Sequence, residues 1–94
     1  MSEERITPVH LEEFLKPMGM GQNQLALRMG ISARRINEIV LGRRSITADT
    51  ALRLAKCLGT TPQFWMRLQT NCDLELARDV LGDTLERDVR PVAV

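Results

Sequence analysis

Ninety-four residues, 44% hydrophobic but only 3% aromatic and without tyrosine, suit one small domain whose core is filled by aliphatic side chains. No apolar run is long enough to span a bilayer, and the charged start MSEERITP lacks the apolar segment of a secretion signal, so a cytoplasmic protein with no membrane partner is expected. The net charge of +1 hides an asymmetry: residues 1–21 sum to −2, residues 22–56 to +5 and residues 57–94 to −2, a basic middle between acidic flanks that marks a polyanion-binding face.

Alanine, leucine, arginine and methionine abound and valine-rich alternating runs are missing, so the chain reads as all-α, a single domain over 1–94. Residues 1–6 are expected to be disordered. Thr7-Pro8 is an N-cap followed by proline at the first helical position, and Leu11, Phe14 and Leu15 form one apolar stripe that Pro17 should end. Leu25, Ala26 and Met29 give the stripe of a second helix, which Gly30 stops. Ser32 is a good N-cap for a third, whose stripe is Ile36, Ile39 and Val40. The link is too short for the two helices to lie side by side, so they should cross steeply as a helix-turn-helix. Gly42 is the next stop and Ile46 anchors the following loop. Thr47 caps a fourth helix, Ala48 to Leu58, with Ala48, Ala51, Leu52, Ala55 and Leu58 inward and Asp49 paired with Arg53 outside. Thr61-Pro62 starts the longest helix, with Phe64, Trp65, Leu68, Cys72, Leu76, Val80 and Leu81 on its apolar side until Gly82. Residues 83–94 could be a helical turn, an edge strand or a loose tail.

The third helix has an outer face of Arg34, Asn37 and Glu38, flanked by Arg35. Arginine and asparagine have the fork geometry that reads guanine and adenine edges in a major groove, and the start of the second helix of this motif, here Ala33 and Arg34, is what meets the bases. Arg34 and Asn37 are therefore the candidate base contacts. Arg35, Arg43, Arg44 and Gln22 are the candidate phosphate contacts. Taken alone, that face reads about equally well as a solvated surface with an Arg34–Glu38 pair; the arginines of the next loop shift the balance toward DNA.

No catalytic constellation is visible. His10 is the sole histidine, and Cys57 and Cys72 stand fifteen positions apart without a C-x-x-C. They read as small hydrophobes in a reducing compartment, with no metal, no cofactor and no enzyme activity expected. The apolar side of the fifth helix is wider than one small core requires. Trp65 reads as core, while Leu76, Val80, Leu81, Leu85 and Val89 are the candidate interface of a homodimer that would place two reading helices one duplex turn apart.

Five helices with a helix-turn-helix at the second and third resemble the λ-repressor-like DNA-binding domain. The stretch RRINEIVLGRRSITADTALRLAKCLGTTPQFWMRLQ (Arg34 to Gln69), with DLELA (Asp73 to Ala77) after it, is similar to the HigA-type antitoxins and the related VapI-like regulators of the XRE helix-turn-helix family. The resemblance covers the chain from Pro8 to about Pro91. It implies a homodimer on a palindromic operator, repression of its own operon, and neutralisation of a HigB-like mRNA-cleaving toxin by direct contact. A stand-alone regulator without a toxin and a module that chiefly sequesters a toxin are the alternatives. Two departures stand out. The family usually carries a proline-glycine-glutamate segment after the first-helix histidine, whereas here Val9-His10 runs straight into Leu11, implying a shorter first helix. Ala33 stands where many λ-like domains carry a side chain able to hydrogen-bond a base.

Overall fold

Short helices with strong punctuation account for the architecture. A computed structural model describes residues 11–93, so the expectations for residues 1–6 and the Thr7-Pro8 cap fall outside it. The described chain runs through α1 (Leu11–Leu15), a 3₁₀ turn (Lys16–Met18), α2 (Gln22–Met29), α3 (Ala33–Val40), α4 (Ala48–Leu58), α5 (Pro62–Leu81) and α6 (Thr84–Asp88). The five helices expected from the sequence are all present. Of the three options for residues 83–94, the chain takes the helical turn, α6, over Thr84–Asp88, and residues 89–93 carry no regular secondary structure.

The caps behave as their chemistry requires. Ser32, Thr47 and Thr61 each lie in extended backbone just before a helix and accept from the amide three residues on, at Arg35, Thr50 and Phe64. At the start of α2, the Gln24 side-chain oxygen accepts from the Gly21 amide at 3.3 Å, half of a capping box. Pro17 limits α1 to Leu15 and sits early in the 3₁₀ turn, where its missing N–H costs nothing.

The core gathers one face of every helix from α1 to α5. Leu11 and Leu15 meet Leu25, Ala26 and Met29 of α2, Ile36 and Ile39 of α3, and Ala51, Leu54 and Ala55 of α4. Trp65 closes it from α5 with no exposed surface. Its indole N–H donates to the Thr60 hydroxyl at 2.6 Å, so the buried ring keeps a partner for its one polar atom. Phe14, Phe64 and Trp65 form a triangle of edge-to-face contacts with centroids 5.0–5.6 Å apart.

The inward side of α4 differs from the sequence expectation. Leu54 is fully buried, whereas Leu52 is 59% exposed and Ala48 is also outside. With alanine and leucine at so many positions of this helix, two stripes about 100° apart are nearly equivalent in apolar content. Polar contacts select between them: Thr50 is turned inward to meet Arg35 of α3, and that fixes Ala51, Leu54 and Ala55 as the buried set.

The turn between α2 and α3 is pinned from α4. Arg53 donates through Nη1 to the Met29 carbonyl at 2.7 Å, using an oxygen that the end of α2 leaves unpaired. Gly30 follows at φ 73°, and a Cβ there would lie 3.3 Å from that same Nη1. Gly30→Ala should therefore combine left-handed strain with displacement of Arg53, lowering stability by about 1–2 kcal/mol from the backbone term alone. Urea titration of the two proteins measures it; an unchanged midpoint would contradict this account of the turn.

Candidate nucleic-acid interface

Glu38 is the hub of the outer face of α3. Its two carboxylate oxygens accept separately, from Arg34 Nε at 3.2 Å and from Arg44 Nε at 2.8 Å. One guanidinium comes from the first turn of α3, the other from the loop beyond it, so their convergence puts helix and loop on one side of the molecule. The Arg34 side chain is 85% exposed. The Arg44 hydrogen bond, and after it that of Arg34, holds the Glu38 carboxyl below the ordinary carboxylate range.

The loop is held in place from beneath. Gln69 of α5 is buried, and its side-chain oxygen accepts from the Ile46 amide at 2.7 Å while its Nε2 donates to Asp73 at 2.9 Å. Ile46 is itself buried, as expected. Arg43 and Arg44 thus sit on a loop whose far end is tied to the core. Arg43 is exposed, with no side-chain partner among the described residues.

Asn37 lies one turn after Arg34 and is exposed. Its Nδ2 donates to Gln22 at the start of α2, 3.2 Å away, so two of the sequence candidates are in direct contact.

Two other candidates depart from expectation. Arg35 does not point outward. Its Nη2 donates to Asp49 at 2.6 Å and to Thr50 at 2.7 Å, and its Nε is buried without a hydrogen-bond partner. Its side chain is 25% exposed. Asp49, whose carboxyl is held low by Arg35 first and Arg53 second, draws it across to α4. Arg35 is therefore a brace between α3 and α4 in this structure, not a free phosphate ligand. Ala33 is half-buried and packs against the core, leaving only part of its methyl group exposed.

The candidate interface residues Leu76, Val80, Leu81, Leu85 and Val89 are all exposed, at 42, 85, 37, 45 and 58%. Leu74, at 47%, joins them and was not singled out from sequence, because its polar neighbours at 73 and 75 masked it. Gln69 and Glu12 were missed for another reason: the contacts that matter, to the Ile46 amide and to Gln22, lie 23 and 10 residues away.

Cys57 and Cys72 are unbridged, and burial, with Glu75 and Asp73 nearby, pushes the Cys72 thiol up. No three or more His, Cys, Asp or Glu side chains among the described residues form a group that could hold a metal ion. No helix among them is long and apolar enough to cross a membrane.

A helix-turn-helix family profile matches residues 11–65, from α1 to the start of α5. Virulence-associated protein I of Dichelobacter nodosus is 52% identical over 66 residues, which is 70% of this chain and 61% of that protein. The chain spans about three fifths of the length of the curated relatives it matches. Among solved structures, an addiction module antidote protein of a HigA family from Coxiella burnetii superposes with a TM-score of 0.84 at 43% identity, covering 96% of this chain and 100% of that one. The Pseudomonas aeruginosa antitoxin HigA, solved with the higBA promoter, gives 0.84 at 33% identity over 93% of this chain and 95% of that one.

The two hubs predict how stability responds to acid. Both carboxyls are depressed in the folded state, Asp49 from an ordinary value of 3.8 and Glu38 from 4.5. Their contribution is present above those values and is lost as the pH falls through the lower folded ones. Asp49→Asn should therefore reduce stability at neutral pH and flatten its decline below about pH 4. Thermal melts of both proteins across the acid range test this; parallel curves would show that Arg35 and Arg53 gain nothing from the charge.

Proposed function

The chain belongs to the helix-turn-helix family, among the HigA-type antitoxins, and from that membership we propose that it is the DNA-binding antitoxin of a toxin–antitoxin pair. In this reading a homodimer seats two copies of α3 on a palindromic operator, represses its own operon and neutralises a HigB-like mRNA-cleaving toxin by direct binding. The observation that carries the DNA-binding part is the convergence of Arg34 and Arg44 on Glu38, which gives one face both a base-reading arginine and a backbone-binding loop. Arg34 and Asn37 are the readers, Arg43 and Arg44 the phosphate ligands. Arg35 acts from behind by fixing α3 on α4. The Pseudomonas relative solved with promoter DNA supports the DNA-binding part of this reading.

Two copies are favoured by shape. The radius of gyration is 16.3 Å, against about 12 Å for a compact chain of this length. The second half of α5 stands clear of the core: every residue from 73 to 81 is exposed, Leu74, Leu76, Val80 and Leu81 among them. One reading helix spans only a few base pairs, and joining two copies through this end would set two of them about 34 Å apart.

Binding to duplexes carrying the promoter of the protein's own gene should separate the two kinds of contact. Arg34→Ala should cost about 1–3 kcal/mol on the cognate site and relax preference at one position. Arg43→Ala should weaken binding to all sequences alike and reduce the salt slope by about one. A wild-type affinity that ignores ionic strength would sink the DNA-binding reading. Growth rescue on co-expression with a small basic protein encoded next to it tests the antitoxin part.

Val80→Asp should yield a folded monomer that no longer holds the operator, since the side chain is 85% exposed and its loss leaves the core intact. Sedimentation at micromolar concentration reads the outcome. A wild-type monomer that still binds a palindrome tightly would overturn the dimer.

A further inference from the structure

The polar contacts on the reading face begin one helix earlier than the helix-turn-helix itself. Glu12 of α1 accepts through Oε2 from Gln22 Nε2 at 2.7 Å, and Gln22 Oε1 accepts from Asn37 Nδ2 at 3.2 Å. The direction of this chain is dictated by its first member. A carboxylate only accepts, so Gln22 must turn its NH₂ toward Glu12. Its carbonyl oxygen then faces Asn37, which has to answer with an N–H. Asn37 is left with Oδ1 and its second N–H free, on an amide whose orientation is now set.

Orientation decides what that amide can read. Adenine offers an N6 amine and an N7 acceptor, so it pairs with an asparagine whose oxygen meets N6 and whose N–H meets N7. Turned by half, the same amide sets donor against donor and acceptor against acceptor. Asparagine and glutamine alone have little shape reason to prefer either orientation, because O and NH₂ are nearly the same size. The acceptor-only carboxylate at the head of the chain breaks that degeneracy.

The charge of Glu12 also works against DNA binding. It is exposed and touches the first residue of α2, where the anion-favouring end of the helix and the basic segment would otherwise meet phosphate. A negative charge there weakens binding to DNA of any sequence. Its contact with Gln22 supplies a return for that cost in selectivity.

We propose that Glu12 is a positioning residue for base specificity, acting through Gln22 to hold Asn37 in the orientation that reads adenine. The inference rests on the operator-binding reading above and adds to it a residue outside the helix-turn-helix.

Glu12→Gln keeps the size and removes both the charge and the acceptor-only character. The wild type, Glu12→Gln, Asn37→Ala and the double variant are each put through selection from a randomised double-stranded DNA library. Affinities are then measured on the selected duplex, on its single-base substitutions and on a scrambled duplex. At the position that Asn37→Ala relaxes, Glu12→Gln should lose discrimination by about ten-fold. On scrambled DNA it should bind about two- to three-fold more tightly, because a negative charge has left the phosphate face. In the Asn37→Ala background it should no longer change discrimination, yet should still tighten scrambled binding. Equal melting temperatures for Glu12→Gln and wild type exclude loss of fold, and Gln22→Leu, which cuts the chain one link later without touching Glu12, should relax the same position. Relaxation by Asn37→Ala without any by Glu12→Gln overturns the relay and leaves operator reading intact. Relaxation by Arg34→Ala but by neither Asn37→Ala nor Glu12→Gln overturns it equally, since the relay then has no reader. A wild type that enriches no motif removes the operator-binding reading, and this inference with it.

Discussion

Two eight-residue helices cannot hold a direction on their own. Isolated helices of that length are marginal in water, so the crossing of α2 and α3 has to be imposed from outside. The path that imposes it is polar as well as apolar. Arg35 of α3 reaches Asp49 of α4, Asp49 also holds Arg53 one turn on, and Arg53 reaches back to the carbonyl that ends α2. Three helices are thereby tied to one carboxylate. The apolar contacts of Ile36 and Ile39 keep α3 attached to the core, but a hydrophobic contact is non-directional. The guanidinium contacts supply the angular constraint, and the angle is what a reading helix needs.

The same economy of carboxylates recurs on the outer face, with the opposite consequence. Asp49 uses its arginines to build the fold. Glu38 gathers Arg34 and Arg44, which in the proposed DNA complex would have other partners to meet. Such exposed pairs contribute little to stability. Their effect is better understood as order: long side chains held near their working positions lose less freedom on binding. The proposed polarity of the Glu12–Gln22–Asn37 chain follows the same logic, with an acidic group reducing the choices open to a neighbouring donor. A basic face carrying only arginines would bind DNA more strongly and choose less well.

The helix ends were legible because their chemistry is local. Ser32, Thr47 and Thr61 before amphipathic runs, and Gly30 and Gly59 after them, can be located by reading a few residues at a time. The outer face of α3 was legible for the same reason, since Arg34, Asn37 and Glu38 share a face by spacing alone. What could not be read is where a long side chain turns once the fold has formed. Arg35 sits beside Arg34 in sequence and points to another helix because Asp49 lies 14 positions away. Leu52 and Leu54 are two residues apart in an alanine-rich helix, and the face that turns inward is the one on which Thr50 meets Arg35. Gln69 is a buried support for the arginine loop, through a bond to the Ile46 amide 23 positions away. Arg35, Gln69 and the choice between Leu52 and Leu54 all turn on a polar contact between residues distant in the chain, where periodicity carries no information.

The long fifth helix shows how one element serves two ends of the molecule. Its first turns bury Trp65 and Gln69 and are fixed by the core; its second half touches little of it. That half stays helical because propagation from a packed nucleus is easy where nucleation would not be. Twenty residues without a glycine or an internal proline make a rod about 30 Å long, and the first break comes at Gly82, with φ 52°. An apolar surface at the end of a rod is held at a set distance and angle from the core, and through Gln69 and the Ile46 amide from the arginine loop as well. In the proposed dimer, the separation of two reading helices would therefore be determined by backbone that is continuous from the core to the contact, while α6, beyond the glycine, is free to adjust to its partner without altering that separation.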